Sequence, residues 1–243
     1  MPAYNKEEHI AESILQVKAK LDQFAQPYEI IVVNDGSADQ TWKVASSVVS
    51  DSRVKVLGYE RNQGKGWAAR YGLRYASGDM VVLIDSDQEV SVEGLKLYLK
   101  ALRNADIAIA SKRHPRSQVN TPVLRRFLSY GFNVVVQIAT GVRLSDTQAG
   151  LKAIRGQAIR RILPMLSVKR YAYDVELLAV ASLLKMKVAE LPVKIHLKAL
   201  FSARQIFRIL IDLMGITYRL RVKRWYQKNL DNPNANYKPI LRW

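Results

Sequence analysis

Glu29-Ile30-Ile31-Val32-Val33-Asn34-Asp35-Gly36-Ser37 decides the fold class. A short run that is almost wholly apolar and β-branched reads as a strand buried on both faces, and it stops in a turn cluster that carries an acid. The same grammar returns at Met80-Val81-Val82-Leu83-Ile84-Asp85-Ser86-Asp87. Around these strands the apolar spacing changes to that of helices. Ile10, Ile14, Leu15, Val17 and Leu21 predict a helix over 8–24, Asp39 suits the N-cap of the next, and further helices are predicted over 66–76 and 92–103. Arg53 to Tyr59 and Asp106 to Ser111 complete the strands. Such alternation predicts an α/β fold: a mostly parallel sheet with helices on both faces. A sheet of this kind opens with a strand, whereas this chain starts at the turn that should follow one. The first strand is therefore expected to be missing: either the fold does without it or, the favoured reading, its residues have been lost upstream.

Beyond residue 111 the pattern shifts. Lys112 to Thr121 reads as a basic loop, Val123 to Thr140 as a long helix, Tyr173 to Lys185 as another, and Val188 to Ile195 as a strand. Residues 1–195 are read as one domain and 196–243 as a basic, amphipathic helical tail. That tail holds ten Lys or Arg residues against Asp212 and Asp231, interleaved with Phe201, Phe207, Leu210, Met214, Tyr218 and Trp225. An apolar side, a basic side and aromatics near the ends suit a membrane interface; a helix pair packed on the sheet is the plainer alternative.

The 243 residues are 49% hydrophobic and contain no cysteine, which excludes a disordered chain, a disulfide scaffold and thiolate chemistry. Three isolated histidines argue against a histidine-built metal site. A net charge of +17 points to a polyanionic partner: nucleic acid, an anionic membrane or phosphorylated substrates. Neither a signal peptide nor a membrane-spanning run is read. Ile206 to Val222 is interrupted by Arg208, Asp212, Arg219 and Arg221, so the chain is expected to lie on a membrane rather than cross it.

Ligands of open α/β sheets bind beyond the carboxyl ends of the strands, where Asp35, Asp85 and Asp87 fall. Residues two apart in extended backbone point the same way, so Asp85 and Asp87 can offer two carboxylates to one divalent ion. Alternatively, one of them caps the following helix and the other is solvated. Acids at two strand ends would repel nucleic-acid phosphates, which weighs against a basic nucleic-acid binder despite the charge.

Taken in order, Pro2-Ala3-Tyr4-Asn5-Lys6-Glu7-Glu8, Val33-Asn34-Asp35-Gly36-Ser37, Asn62-Gln63-Gly64-Lys65-Gly66 and Ile84-Asp85-Ser86-Asp87 resemble the inverting family-2 glycosyltransferases of the GT-A fold. Ser145 to Lys152 and Tyr173 to Leu178 extend the resemblance to the polyprenyl-phosphate sugar synthases, especially the dolichyl-phosphate glucosyltransferase branch. The resemblance implies that Pro2, Ala3, Tyr4, Asn5, Glu7, Asp35, Lys65, Asp85 and Gln88 hold a nucleotide-sugar donor, with Mg²⁺ or Mn²⁺ on Asp85 and Asp87. It also implies a lipid-phosphate acceptor met by Arg113, Arg125, Arg126 and Ser129, with Asp146, Gln148 and Arg204 nearby. Asp87, Arg113, Arg126 and Asp174 are the implied catalytic groups. Asp174 and Glu176 lie about 200° apart on a helix, so at most one faces the site, and Asp174 is preferred.

The activity so implied is metal-dependent transfer of a hexose from a nucleotide diphosphate to polyprenyl or dolichyl phosphate, peripherally on the cytoplasmic membrane face. UDP-glucose is favoured as donor. GDP-mannose, a glycan acceptor and a membrane subunit that anchors the chain are the alternatives kept open. The tail departs from the family at Lys198 to Arg204, where a Gly-Ser-Lys stretch is usual.

Overall fold

The computed structural model describes residues 1–243 apart from 25, 50, 88, 197–202 and 232–243. Three parallel strands, β1 (Pro2–Ala3), β2 (Ile30–Asp35) and β3 (Val54–Tyr59), form one sheet in the order β1-β2-β3. A second sheet runs β4-β7-β5-β8, from Met80–Ile84, Leu151–Arg155, Ile107–Ala110 and Val188–Leu191. In it β7 is antiparallel to β4 and β5, and β5 is parallel to β8. The strand expected to be missing is present as two residues: Pro2 and Ala3 pair with Val33 and Asn34. Ser86 ties this stub to the end of β4, its hydroxyl donating to the Pro2 carbonyl at 2.8 Å.

Alternation along the strands sends side chains to two cores. Ala108 and Ala110 join Val32, Leu151 and Ala153 under α1 (Ile10–Leu21), α2 (Thr41–Ser47) and α4 (Leu95–Ala101). Ile107 and Ile109 join Leu83 and Ile154 under α3 (Lys65–Tyr75), α6 (Gly156–Ile162) and α7 (Tyr173–Leu183). Helices thus cover both faces, as predicted. Two expectations are corrected in detail. The loop over 112–121 contains β6 (Gln118–Asn120), and the run 188–195 breaks into β8 and β9 (Lys194–His196), which pairs with β6 in parallel. Pro192 has no N–H to donate to a ladder, which suits the change of sheet.

The helix α5 (Val123–Thr140) matches its predicted limits, ending at Gly141. In the tail, α8 (Ala203–Thr217) passes through a π-helical turn, Tyr218–Val222, and then α9 (Trp225–Asp231). Ile209, Leu213, Ile216, Leu220 and Tyr226 are buried in the same core as α7, each worth about 1.5–3 kcal/mol of apolar burial. Glu176, 0% exposed, fastens this arrangement. Its carboxylate accepts from the Tyr226 hydroxyl at 2.6 Å, the Ser167 hydroxyl at 2.6 Å and the backbone N–H groups of Ser167 and Val168, both at 2.8 Å. Arg219 lies 3.4 Å away as its counter-charge.

Removing an acid so thoroughly engaged leaves buried donors without a partner. Glu176→Ala should cost about 3–5 kcal/mol in a urea unfolding titration, with α8 and α9 becoming the first segments cut by trypsin. A loss below about 1 kcal/mol would show that the tail is held by something else.

Candidate active site

A cleft of about 1100 Å³ opens beyond the strand ends, with Pro2, Ala3, Tyr4, Asp35, Lys65, Asp85 and Asp87 among the residues lining it. Asp85 and Asp87 follow the end of β4 in a turn. Both line the cleft, as does Ser86 between them, which is largely buried and bonded to Pro2. Gly150 lets Asp85 sit there: its carbonyl accepts the Asp85 N–H at 3.2 Å, and a Cβ at this position would collide with the Asp85 carboxylate. Lys65 Nζ is 2.7 Å from Asp85 Oδ2. Burial works against a charge on Lys65, but Asp85, with Asp174 and Asp87 adding to it, outweighs burial and holds the ammonium above its ordinary range.

Gly64 brings Lys65 into place. Its φ of +102° is a region that L-residues avoid, and a Cβ there would lie 2.6 Å from the Lys169 carbonyl. Asp35 lines the same cleft and is well supplied with donors. Burial raises its pKa, against donation from the Gln63 N–H at 2.8 Å, the Tyr59 hydroxyl at 2.7 Å, the Gly64 N–H at 2.9 Å and the Asn62 amide at 2.9 Å. With its lone pairs so occupied, Asp35 shapes the 62–64 loop and borders the cleft.

Asp85 and Asp87 fit a hard divalent ion in donor type and direction, since both are carboxylates turned to the same cavity. Asp87 spends Oδ1 on the Glu89 N–H at 3.1 Å. No cluster of three or more Asp, Glu, His or Cys exists among the described residues, so the remaining ligands would have to come from the bound molecule or water. Gln88 lies outside the described residues.

Several other expected site residues face elsewhere. Asn5 and Glu7 brace the turn after β2: Asn5 Oδ1 accepts from the Ala38 N–H at 3.0 Å and Glu7 Oε2 from the Gln40 N–H at 2.7 Å. The preference for Asp174 as the cleft-facing acid is corrected. It is 3% exposed and lies 2.7 Å from the buried Lys152 ammonium, and neither it nor Glu176 lines the cleft. Asp146 is likewise a clasp, accepting from the Lys112 N–H at 3.0 Å and the Gln148 N–H at 3.0 Å, with Lys112 Nζ at 2.9 Å. Arg113 donates to the Ser129 carbonyl at 3.1 Å and lies over the Tyr130 ring, outside the cleft lining. Arg126 and Arg204 are exposed on α5 and α8 and do not line it either. The side chain of Arg125 lies outside the described residues.

The opposite wall was missed from sequence. It consists of Ser167 to Tyr171 and one stripe of the tail: Gln205, Arg208, Ile211, Asp212 and Gly215 on α8 and Arg219 in the π-helical turn. Apart from Ile211, the stripe has a legible signal, polar or small residues at intervals of three and four. The loop carries none beyond adjacent Lys169 and Arg170.

Similarity to known proteins agrees with this geometry. The family description Glycosyl transferase family 2 matches residues 1–163. The chain belongs to this glycosyltransferase family. It is 29% identical to a dolichyl-phosphate beta-glucosyltransferase of Trichomonas vaginalis, over 98% of this chain and 76% of that protein. It is 33% identical to the dolichyl-phosphate beta-glucosyltransferase of Homo sapiens, over 79% of this chain, and spans 65% of that relative's length. Among solved structures, glucosyl-3-phosphoglycerate synthase of Mycobacterium tuberculosis in complex with UDP superimposes with a TM-score of 0.67 at 17% identity, covering 89% of this chain and 76% of the other. The same enzyme with Mn²⁺, UDP-glucose and phosphoglyceric acid gives a TM-score of 0.65. These two likenesses show the fold alone.

The clasp at Asp146 has a pH signature. Burial opposes its charge, but Lys112 and the backbone donors outweigh burial and keep its pKa below the ordinary carboxylate range. A depressed folded-state pKa adds stability above the unfolded value near 4, and the gain disappears as pH falls through the folded value. Lys112→Met should therefore cost about 2–3 kcal/mol at pH 7, with the gap to the parent closing as unfolding is measured at successively lower pH below 4. A gap independent of pH would contradict this assignment.

Proposed function

We propose that this glycosyltransferase moves glucose from UDP-glucose to a dolichyl or other polyprenyl phosphate, with inversion at the anomeric carbon. The observation that carries the reading is the Asp85-Ser86-Asp87 turn. It presents both carboxylates to a cleft with Lys65 between walls, in a chain 33% identical to the human dolichyl-phosphate beta-glucosyltransferase. UDP-glucose is favoured over GDP-mannose because the relatives are glucosyltransferases and a neighbour of the same fold binds UDP-glucose with Mn²⁺.

Asp85 and Asp87 would hold Mg²⁺ or Mn²⁺, which supplies positive charge to the departing diphosphate. The chain's own groups do the rest. Lys65 stands beside Asp85, within reach of a diphosphate oxygen. Lys6, Lys169, Arg170 and Arg208 line the cleft and make it attractive to two anions at once. In the displacement a phosphate oxygen of the acceptor bonds to the anomeric carbon as the bond from that carbon to the diphosphate oxygen breaks. The nucleophile is already anionic at neutral pH, so no protein base is needed. That agrees with the commitment of Asp174 and Glu176 to internal partners.

The acceptor brings the membrane into the reading. Leu128, Val135 and Ile138 on α5, Phe207 and Met214 on α8, and Tyr218 and Val222 in the π-helical turn after it are exposed apolar side chains. The two helices are neighbours, the Arg221 guanidinium donating to the Ile138 carbonyl. Exposed Arg126, Arg204, Arg221, Lys223 and Arg224 lie on the same elements or beside them. Such a surface suits peripheral attachment to an anionic leaflet, on the cytoplasmic side, each basic contact adding about 1 kcal/mol. No helix among the described residues is long and apolar enough to cross a membrane.

Purified chain given radiolabelled UDP-glucose, Mn²⁺ and dolichyl phosphate in vesicles should produce labelled glycolipid, and EDTA should stop it. Asp87→Ala should reduce the rate at least a hundredfold, about 2.7 kcal/mol or more of transition-state stabilisation, with an unchanged far-UV CD spectrum. Labelling from GDP-mannose alone, or of soluble acceptors alone, would replace the donor or acceptor assignment. Full activity of Asp87→Ala would remove the metal site.

A further inference from the structure

Asp212 is the cleft acid that neither the fold nor the proposed reaction uses. It sits on α8, one turn beyond Arg208, and lines the same cleft as Lys65, Asp85 and Asp87. Its Oδ2 is buried and has no hydrogen-bond partner. Burial raises the Asp212 pKa, against the charges of Arg170 and Arg219, and neither of these arginines forms an ion pair with it among the described residues. Arg219 is spent on the Tyr226 hydroxyl at 3.0 Å and on Glu176. Buried acceptors are almost always satisfied in folded proteins, so an orphan at the wall of a binding cleft points to a donor supplied by the ligand.

The chemistry of that donor can be narrowed. Phosphates bring no free N–H and would be repelled by a carboxylate. Asp212 is not grouped with Asp85 and Asp87 as a third metal-binding acid. Its place along the cleft is marked by the loop 167–170. The Lys169 carbonyl and Arg170 side chain pack against Gly64, next to Lys65, and the same Arg170 acts on Asp212. Asp212 shares one cleft with Lys65 and Asp85, where the diphosphate and the sugar beyond it would lie.

We infer that Asp212 is a specificity-determining residue that accepts a hydrogen bond from a hydroxyl of the donor hexose. The inference rests on the transferase reading above and assigns α8 a share in choosing the sugar. A helix that carries exposed apolar residues on one side would then read the donor with another.

Binding rather than turnover tests it. Isothermal titration with UDP and with UDP-glucose, both with Mn²⁺, compares the parent with Asp212→Ala and Asp212→Asn. For Asp212→Ala the Kd for UDP-glucose should rise about 10- to 100-fold, the range of a hydrogen bond to a charged acceptor, while the Kd for UDP stays within about twofold. Asp212→Asn keeps an acceptor oxygen and should recover part of the loss. One of the 2-, 3-, 4- and 6-deoxyglucose analogues of the donor should bind parent and Asp212→Ala equally. Equal weakening of UDP and UDP-glucose, or no weakening of either, would overturn the assignment while leaving the transferase reading intact. Failure of the parent to bind UDP at all would overturn both.

Discussion

Carboxylates gathered at strand ends in a half-buried place need counter-charges, and the Lys65–Asp85 pair is how this fold supplies one. A buried anion without a counter-charge neutralises itself by taking a proton and then loses its use for binding cations. Lys65 supplies that counter-charge to Asp85 at 2.7 Å, and the surroundings serve that contact. Gly64 turns the chain so that Lys65 starts α3, Gly150 leaves room for the Asp85 carboxylate, and the 167–170 loop packs against Gly64 and Gly66. That loop is held in turn by Glu176 through two backbone N–H groups. The acid deepest in the structure thus supports the acid nearest the chemistry, through a loop that neither belongs to.

The acids of this region divide by partner supply. Asp35, Asp146, Asp174 and Glu176 are surrounded by donors or cations and act as fasteners. Asp85 is held by one flexible amine, Asp87 gives one oxygen to a backbone N–H, and Asp212 has an orphaned oxygen. The second set retains unspent capacity for a ligand at the cleft. This sorting is tertiary, since Asp174 and Glu176 look alike in sequence and both sit in the first turn of α7. Their roles depend on Lys152 in β7, across α6 from Asp174, and on Tyr226 in the tail.

That explains what could be read in advance. The two apolar runs ending in acids, and hence β2, β4 and the placement of Asp35, Asp85 and Asp87, are local patterns and were legible. So was the full extent of α5. The antiparallel β7 was not, because nothing in Leu151-Lys152-Ala153-Ile154-Arg155 announces its direction, and its central Lys152 argues against burial until Asp174 is known to face it. The two-residue β1 was taken for an absence because its strand character comes from pairing with Val33 and Asn34, not from its own composition. The basic residues Arg113 and Arg126 were assigned by resemblance, whereas Lys169, Arg170 and Arg208 reach the cleft through folding of distant segments. The polar stripe on α8 was present in the sequence but was read for its amphipathic surface alone.

The most direct measurement is a crystal structure of the chain soaked with UDP-glucose and Mn²⁺. The account predicts anomalous density for one Mn²⁺ bound by Asp85 and Asp87 and by diphosphate oxygens, with the Lys65 ammonium drawn toward the diphosphate. Density for the nucleotide in another cavity, or a bound diphosphate with both aspartates empty and Lys65 still locked to Asp85, would contradict it.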